Sequence, residues 1–396
     1  MENTLIFADR LLDGQKPKGI ESGGLMISEG MIQWVGEKAH SPERSEITVR
    51  SFPGCTILPG LVDAHVHLSM MGVSDPWNEM QMDSVPRAAL KAARNAQVSL
   101  HAGVTTVRDL GSKEGVVIKV AKAVEEGLII GSRILPSGRC IVMTGGHGFA
   151  IGVEVDGEDE ARKAARKEMK DGAQVLKVMA TGGVLTPGVE PGSPQLTIEE
   201  MRAITEEAHK ANRKVAAHAH GCQGIKNAIL AGVDTIEHCS YLDNEAIDLF
   251  QKKGSTMVST LLATMLLIWN LEDAKMPRYI VEKITKHVDH EVASLEFAIR
   301  AGIKIAAGTD AGSGVNPHNQ LSKQLELLVK HGMTEMEAIQ AGTRISAETL
   351  GLAETTGSLE IGKVADILIV KGNPLADIRT IGNISAVIKQ GKWIVG

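Results

Sequence analysis

The chain has 396 residues, of which 43% are hydrophobic and 23% charged, with a formal net charge of −6. An apolar share of that size supports a large buried core and excludes a disordered chain. Aromatic residues make up only 3%, so the core is built mainly from Val, Ile, Leu, Ala and Met. Mild acidity without a Lys/Arg block leaves no electrostatic footprint for nucleic acid or anionic lipid, and neither is expected as a partner.

Residues 1–57 hold short β-like runs at 5–7, 25–27 and 32–35, separated by Gly pairs and polar turns. Residues 1–10 carry no basic region and no apolar stretch of signal-peptide length. The most apolar window, residues 257–269, falls short of the roughly 20 residues a membrane span needs. Cys55, Cys140, Cys222 and Cys239 are far apart and form no CxxC pair, which fits reduced thiols. A cytoplasmic location is the expectation.

Beyond residue 60 one pattern recurs: a helical stretch ends in Gly or Asn, and a β-branched run follows. Ala102-Gly103 leads into 104–108, Asp171-Gly172 into 174–178 and Ala211-Asn212 into 214–218. Ala231-Gly232 leads into 233–236, Lys253-Gly254 into 256–259 and Ala301-Gly302 into 303–306. Gly and Asn accept the left-handed conformation that ends a helix and feeds a buried parallel strand. With runs at 61–67 and 133–137 there are eight strands alternating with helices, which predicts an α/β fold closed as a (β/α)8 TIM-like barrel. An open doubly wound sheet would want a phosphate loop after its first strand, and none is there.

Residues 357–396 return to short β-like runs at 365–370, 386–388 and 393–395. Neither end can bury a face alone at this size, so both termini are expected to pair into one small β-sandwich. The expected division is 1–57 and 357–396 for the sandwich and 58–356 for the barrel.

The strongest local signal is Pro59-Gly-Leu-Val-Asp-Ala-His65-Val-His67. Strand periodicity turns His65 and His67 to one face, at the strand end where barrels build their sites, and paired imidazoles are natural metal ligands. Lys177 lies inside the apolar strand Val175-Leu-Lys-Val-Met179, where an ammonium is costly to bury. His218 closes the fifth strand, His238 follows Thr235-Ile-Glu237 at the sixth, and Asp310 ends the eighth in Ala307-Gly-Thr-Asp310. A satisfied core polar group is a reasonable reading of any one of these, but not of all of them at matching strand ends.

On these residues the chain resembles the amidohydrolase superfamily, and the resemblance extends to Pro53-Gly-Cys-Thr-Ile-Leu-Pro-Gly60 and Gly357-Ser-Leu-Glu-Ile-Gly-Lys-Val-Ala-Asp-Ile-Leu368. Gly145-Gly-His147-Gly148, Thr181-Gly-Gly183, His218-Ala-His220-Gly221 and His238-Cys-Ser-Tyr241 make it look most like the imidazolonepropionase-related group. That group contains Xaa-Pro dipeptidases (prolidases) and carboxypeptidase-like amidohydrolases. The resemblance implies two divalent ions, with Lys177 bridging them as a CO2-derived carbamate. His65, His67 and Asp310 would hold one ion, and His218 and His238 the other. A metal-bridging hydroxide would attack an amide carbonyl, with Asp310 moving the proton to the leaving nitrogen. The mixed N/O donor set favours Zn2+, with Mn2+, Co2+ and Fe2+ also suited. Lys177 favours the binuclear, peptidase-like branch over imidazolonepropionase proper.

By the same resemblance His147 and Tyr241 would bond the scissile carbonyl or oxyanion. His220, one pleat beyond His218, would serve substrate or support a metal ligand, and His318, in the loop after strand eight, would approach the pocket. His101, His209, His287, His290 and His331 fall on predicted helices among charged neighbours and read as solvated. Cys239 reads as a small buried apolar residue turned away from the metals, and the mixed charges of 158–170 as an exposed helix. The expected substrate is a small molecule, a dipeptide of Xaa-Pro type or an N-acyl amino acid with a free carboxylate. A cyclic-amide hydrolase or deaminase like imidazolonepropionase is the alternative, and a non-catalytic structural barrel the third reading. Side-chain specificity is assigned to the loops 69–85, 185–195, 261–277 and 311–320. The resemblance further implies a homo-oligomer, with an octamer as one form.

Overall fold

The computed structural model describes residues 3–42, 47–272 and 275–396. Both ends of the chain meet in one eight-stranded sheet. Its order is Lys392–Val395, Ile384–Lys389, Ile367–Lys371, Thr48–Pro59, Thr4–Leu11, Gly23–Ser28, Met31–Glu37, with Ile20–Glu21 also on Thr4–Leu11. Thr48–Pro59 joins the two halves, parallel to Thr4–Leu11 and antiparallel to Ile367–Lys371. Strand alternation puts Ile6, Leu25, Ile57, Ile367, Ile369 and Ile388 into one buried cluster that neither end supplies alone.

Gly60 then passes the chain from this sheet to Leu61–Val66. A Cβ there would lie 2.4 Å from the Thr105 side chain, so the turn needs glycine. The middle of the chain is α/β with parallel strands. Leu61–Val66, Val104–Asp109 and Arg133–Pro136 form one parallel set. The second set runs Gly152–Glu154, Cys140–Val142, Val175–Met179, Lys214–Ala219, Thr235–His238, Thr256–Ser259, Ile305–Ala307, again parallel throughout. The sets are tied at both borders. Gln174 N donates to Pro136 O at 2.8 Å, and Asp310 N and His67 N donate to His65 O and Ala311 O at 2.8 Å each. Leucine-, isoleucine- and alanine-rich helix faces pack outside the strands in one continuous core. The left-handed helix ends read from the sequence carry positive φ, including Asn212 at 54°.

Three local features differ from expectation. Cys140–Val142 and Gly152–Glu154 add two strands to the eight read from the sequence, because the three buried residues of Cys140–Val142 suffice when they extend an existing sheet. The stretch 261–277, expected as loop, begins with the helix Leu261–Trp269, whose Leu261, Leu262, Leu266 and Leu267 are buried. The stretch 69–85 contains the helix Pro76–Met82, started by Asp75 accepting from Asn78 N and by proline in the first turn. Among the described residues no helix is long and apolar enough to cross a membrane.

Candidate active site

The C-terminal ends of the parallel strands bring His65, His67, Lys177, His218, His238 and Asp310 to the walls of one cavity with an empty volume of ≈ 770 Å³. His147 and His220 line it as well. Parallel strands all point the same way, so residues placed last on each strand share one face.

Each imidazole is tied at one ring nitrogen, and the tie fixes what the other nitrogen offers. His65 Nδ1 donates to Glu237 Oε2 at 2.8 Å, and His67 Nδ1 to Gly111 O at 3.0 Å. His218 uses its other nitrogen, Nε2, toward Gly182 O at 2.9 Å. These oxygens are only acceptors here, so His65 Nε2, His67 Nε2 and His218 Nδ1 are left as bare lone pairs. His238 Nδ1 meets Thr260 Oγ1 at 2.6 Å, and His220 Nδ1 meets Ser240 Oγ at 2.8 Å. His65 Nε2 and His67 Nε2 both stand 3.4 Å from Asp310 Oδ1.

Burial holds every one of these imidazoles neutral. It lowers the pKa of His67 to about 4 and takes His65, His218, His220 and His238 well below the ordinary histidine value. Burial raises Asp310 to about 7, with the Lys177 ammonium pulling the other way. Lys177 itself is pushed down by burial, is 1% exposed, and its Nζ has no hydrogen-bond partner.

Two groups bring ligand atoms within 4.8 Å of one another: His65, His238 and Asp310, and His218, His220 and His238. Neutral imidazoles with converging lone pairs, a carboxylate and an orphaned buried amine fit a divalent-metal centre better than a closed hydrogen-bond network. His220 enters the second group beside His218 and His238, a place that the sequence reading, substrate contact or ligand support, did not give it.

The amidohydrolase family profile matches residues 56–394. The chain belongs to the amidohydrolase family. Ochratoxinase of Aspergillus niger is 34% identical over 429 residues, covering 99% of this chain and 87% of that protein. Its crystal structure superposes with a TM-score of 0.90 at 31% identity, over 100% of this chain and 96% of the other. The crystal structure of a Xaa-Pro dipeptidase with bound methionine gives a TM-score of 0.92 and 34% identity, over 100% of both chains. Imidazolonepropionase of Pseudomonas fluorescens is 24% identical over 391 residues, covering 91% of this chain and 90% of that protein. This amidohydrolase is thus a hydrolytic enzyme acting on C–N bonds.

Two sequence candidates lie outside the cavity wall. His318 is buried, but its Nε2 bonds Met70 O at 3.0 Å and it does not line the cavity. Tyr241 also stands off the wall, its ring against His287 and His290 and its hydroxyl 3.3 Å from His287 Nδ1. The chain turns left-handed at His238 (φ 71°) and Cys239 (φ 59°), which carries Tyr241 off the line of the strand. Cys239 is buried as expected, with Sγ on Ile236 O at 3.4 Å. His287 corrects the reading as solvated: it is 1% exposed, and its ring stands 4.4 Å from that of His220.

Sequence reasoning missed the groups that orient this amidohydrolase's imidazoles. Glu237 and Arg108 are fully buried, and Thr186, Thr260 and Ser240 supply hydroxyls. Glu237 is adjacent to His238, and a carboxylate in an otherwise apolar strand end was the available signal.

Proposed function

We propose a binuclear metal-dependent amidohydrolase that cleaves an amide or peptide bond in a dipeptide or N-acyl amino acid. Its parallel strands would close as a (β/α)8 barrel over 58–356, with 1–57 and 357–396 folding as a small β-sandwich. His65, His67 and Asp310 would hold one ion and His218 and His238 the other, with Lys177 as a carbamate between them and zinc as the metal. When bound, the ions supply an acidified water near neutral pH and polarise the scissile carbonyl. One observation carries the reading: His65, His238 and Asp310, from three different strand ends, bring ligand atoms within 4.8 Å of one another in a cavity that Lys177, its buried Nζ unpartnered, also lines.

The chain's own residues would divide the remaining work. Asp310 would hold its ion through Oδ1, the oxygen nearest His65 Nε2 and His67 Nε2, which leaves Oδ2 to accept a proton and release it to the leaving nitrogen. Thr186 Oγ1 accepts from Gly148 N at 3.2 Å and stands 2.8 Å from His147 Nδ1, to which its hydroxyl would donate in the proposed arrangement. That leaves a proton on His147 Nε2, and burial keeps the ring neutral with a pKa near 3. A neutral N–H donor of this kind serves a carbonyl oxygen as charge develops on it.

The walls favour a substrate with apolar groups. Met70, Met80, Ile151 and Met179 form one side, and Val184, Leu185, Leu267 and Ile284 another. Apart from Lys177 no cationic side chain lines the cavity among the described residues, so a substrate carboxylate would rely on neutral donors.

The test is turnover of Xaa-Pro dipeptides, other dipeptides, N-acyl amino acids and ring amides by protein purified with zinc and bicarbonate, with metal counted in the same samples. About two ions per chain and preferential cleavage of apolar dipeptides or N-acyl amino acids are expected. Turnover restricted to ring amides, or protein without metal, would overturn the reading.

A further inference from the structure

The ties on the cavity's imidazoles are unequal. His67 and His218 end on backbone carbonyls, and His147, His220 and His238 end on hydroxyls. His65 alone among these ends on a carboxylate. That carboxylate, Glu237, receives Arg108 Nη2 at 2.9 Å and Thr235 Oγ1 at 2.6 Å on its other oxygen. Arg108 is fixed in turn by Ala64 O at 2.7 Å and Thr235 Oγ1 at 3.0 Å. Arg108 and His65 are 1% exposed and Glu237 is 0% exposed.

A fully buried ion pair adds little stability over apolar side chains of the same volume. This one reaches the site through a single ligand nitrogen. A carboxylate that accepts Nδ1–H concentrates electron density on Nε2, whereas a neutral oxygen mainly orients the ring. Resting on the binuclear reading above, we infer that Arg108 and Glu237 are positioning residues that make the ion position of His65, His67 and Asp310 the tighter of the two. The position of His218 and His238, oriented only by Gly182 O and Thr260 Oγ1, is the looser one. The centre therefore loads and empties in two steps.

Stepwise removal of Co2+ from the loaded protein with increasing dipicolinate tests this, reading ions retained per chain and the cobalt visible absorption. The wild type should lose its ions at two separated chelator concentrations. Glu237→Gln keeps the volume and an acceptor for His65 but not the charge, and should lower the tight step about 10–100-fold. Because that variant leaves Arg108 buried without its partner, the neutral double variant Arg108→Met/Glu237→Gln is measured beside it, with cooperative thermal unfolding as the check on its fold. It should show the same shift in the tight step. Thr260→Val should weaken the loose step and leave the tight one in place. Two wild-type ions leaving in one step, or a folded double variant with an unchanged tight step, overturns the inference while leaving the binuclear centre standing. A wild type that takes up no Co2+ overturns both.

Discussion

Lys177→Met should move stability and activity in opposite directions. The ammonium sits 1% exposed with no hydrogen-bond partner, in a strand flanked by Leu176 and Val178. Met has nearly the same length and no charge, so the substitution removes a burial cost on the order of 3 kcal/mol. At ~2.1 cal/mol/K per residue the unfolding entropy of this chain is ~0.8 kcal/mol/K, so the midpoint should rise by ~4 °C. The assay is thermal unfolding of both proteins, metal-free and in CO2-depleted buffer. Burial lowers the lysine pKa, so between the folded and unfolded values the unfolded chain binds the extra proton. Wild-type stability therefore gains as pH rises through that window, and the variant's advantage should narrow. Supplied with zinc and bicarbonate, the variant should hold fewer ions and lose turnover. A variant that unfolds below the wild type when metal-free, or keeps full metal and full activity, would refute the reasoning.

Gly183→Ala would place a Cβ 2.4 Å from His147 Cε1 and Nε2, and should cut kcat about 10–100-fold with the metal count unchanged; normal kcat would remove His147 from the reaction. His318→Asn should flatten the pH dependence of metal-free stability measured by urea unfolding. Burial lowers the His318 pKa from 6.5 to about 4, so only the unfolded chain is protonated between these values. Wild-type stability should thus fall relative to the variant by at most about 3 kcal/mol as pH drops from 7 to 4; parallel curves would contradict this. Thr197→Ala removes the hydroxyl that caps Glu200 N at the start of Ile198–Lys210, and should cost about 1 kcal/mol in the same assay without changing metal content.

The residues that line the cavity were legible because parallel strands convert sequence position into spatial position. The runs behind Gly or Asn helix ends, together with 61–67, bring polar residues at or just past their C-terminal halves to the same face, so His65, Lys177, His218, His238 and Asp310 could be grouped without a structure. What orients them was less legible. Gly111 O and Gly182 O are backbone atoms whose placement no side chain announces. His287 was misread for a different reason. Its neighbours Lys286, Asp289 and His290 suggest a solvated helix, yet Ile280, Ile284, His287, Glu291, Leu295 and Ala298 form the buried stripe of Arg278–Arg300 at helical spacing. The periodicity that marks Ile284 as core marks His287 too.

Strand parity failed at Glu237. An undisturbed pleat would send Glu237 and His238 to opposite faces, yet Glu237 bonds His65 while His238 lines the same cavity. Positive φ at His238 and Cys239 breaks the alternation, and Asp310 repeats the device at φ 55°. Non-glycine residues in that region are strained, and they persist where surrounding bonds over-determine them. Here those bonds are Cys239 N to Ala219 O at 3.1 Å and Asp310 N to His65 O at 2.8 Å. Two strand ends thus hold proposed ligands at positive φ, which few residues other than glycine adopt. The strain falls where a flat pleat would have turned His238 away from the cavity, and no residue-by-residue propensity could have placed it there.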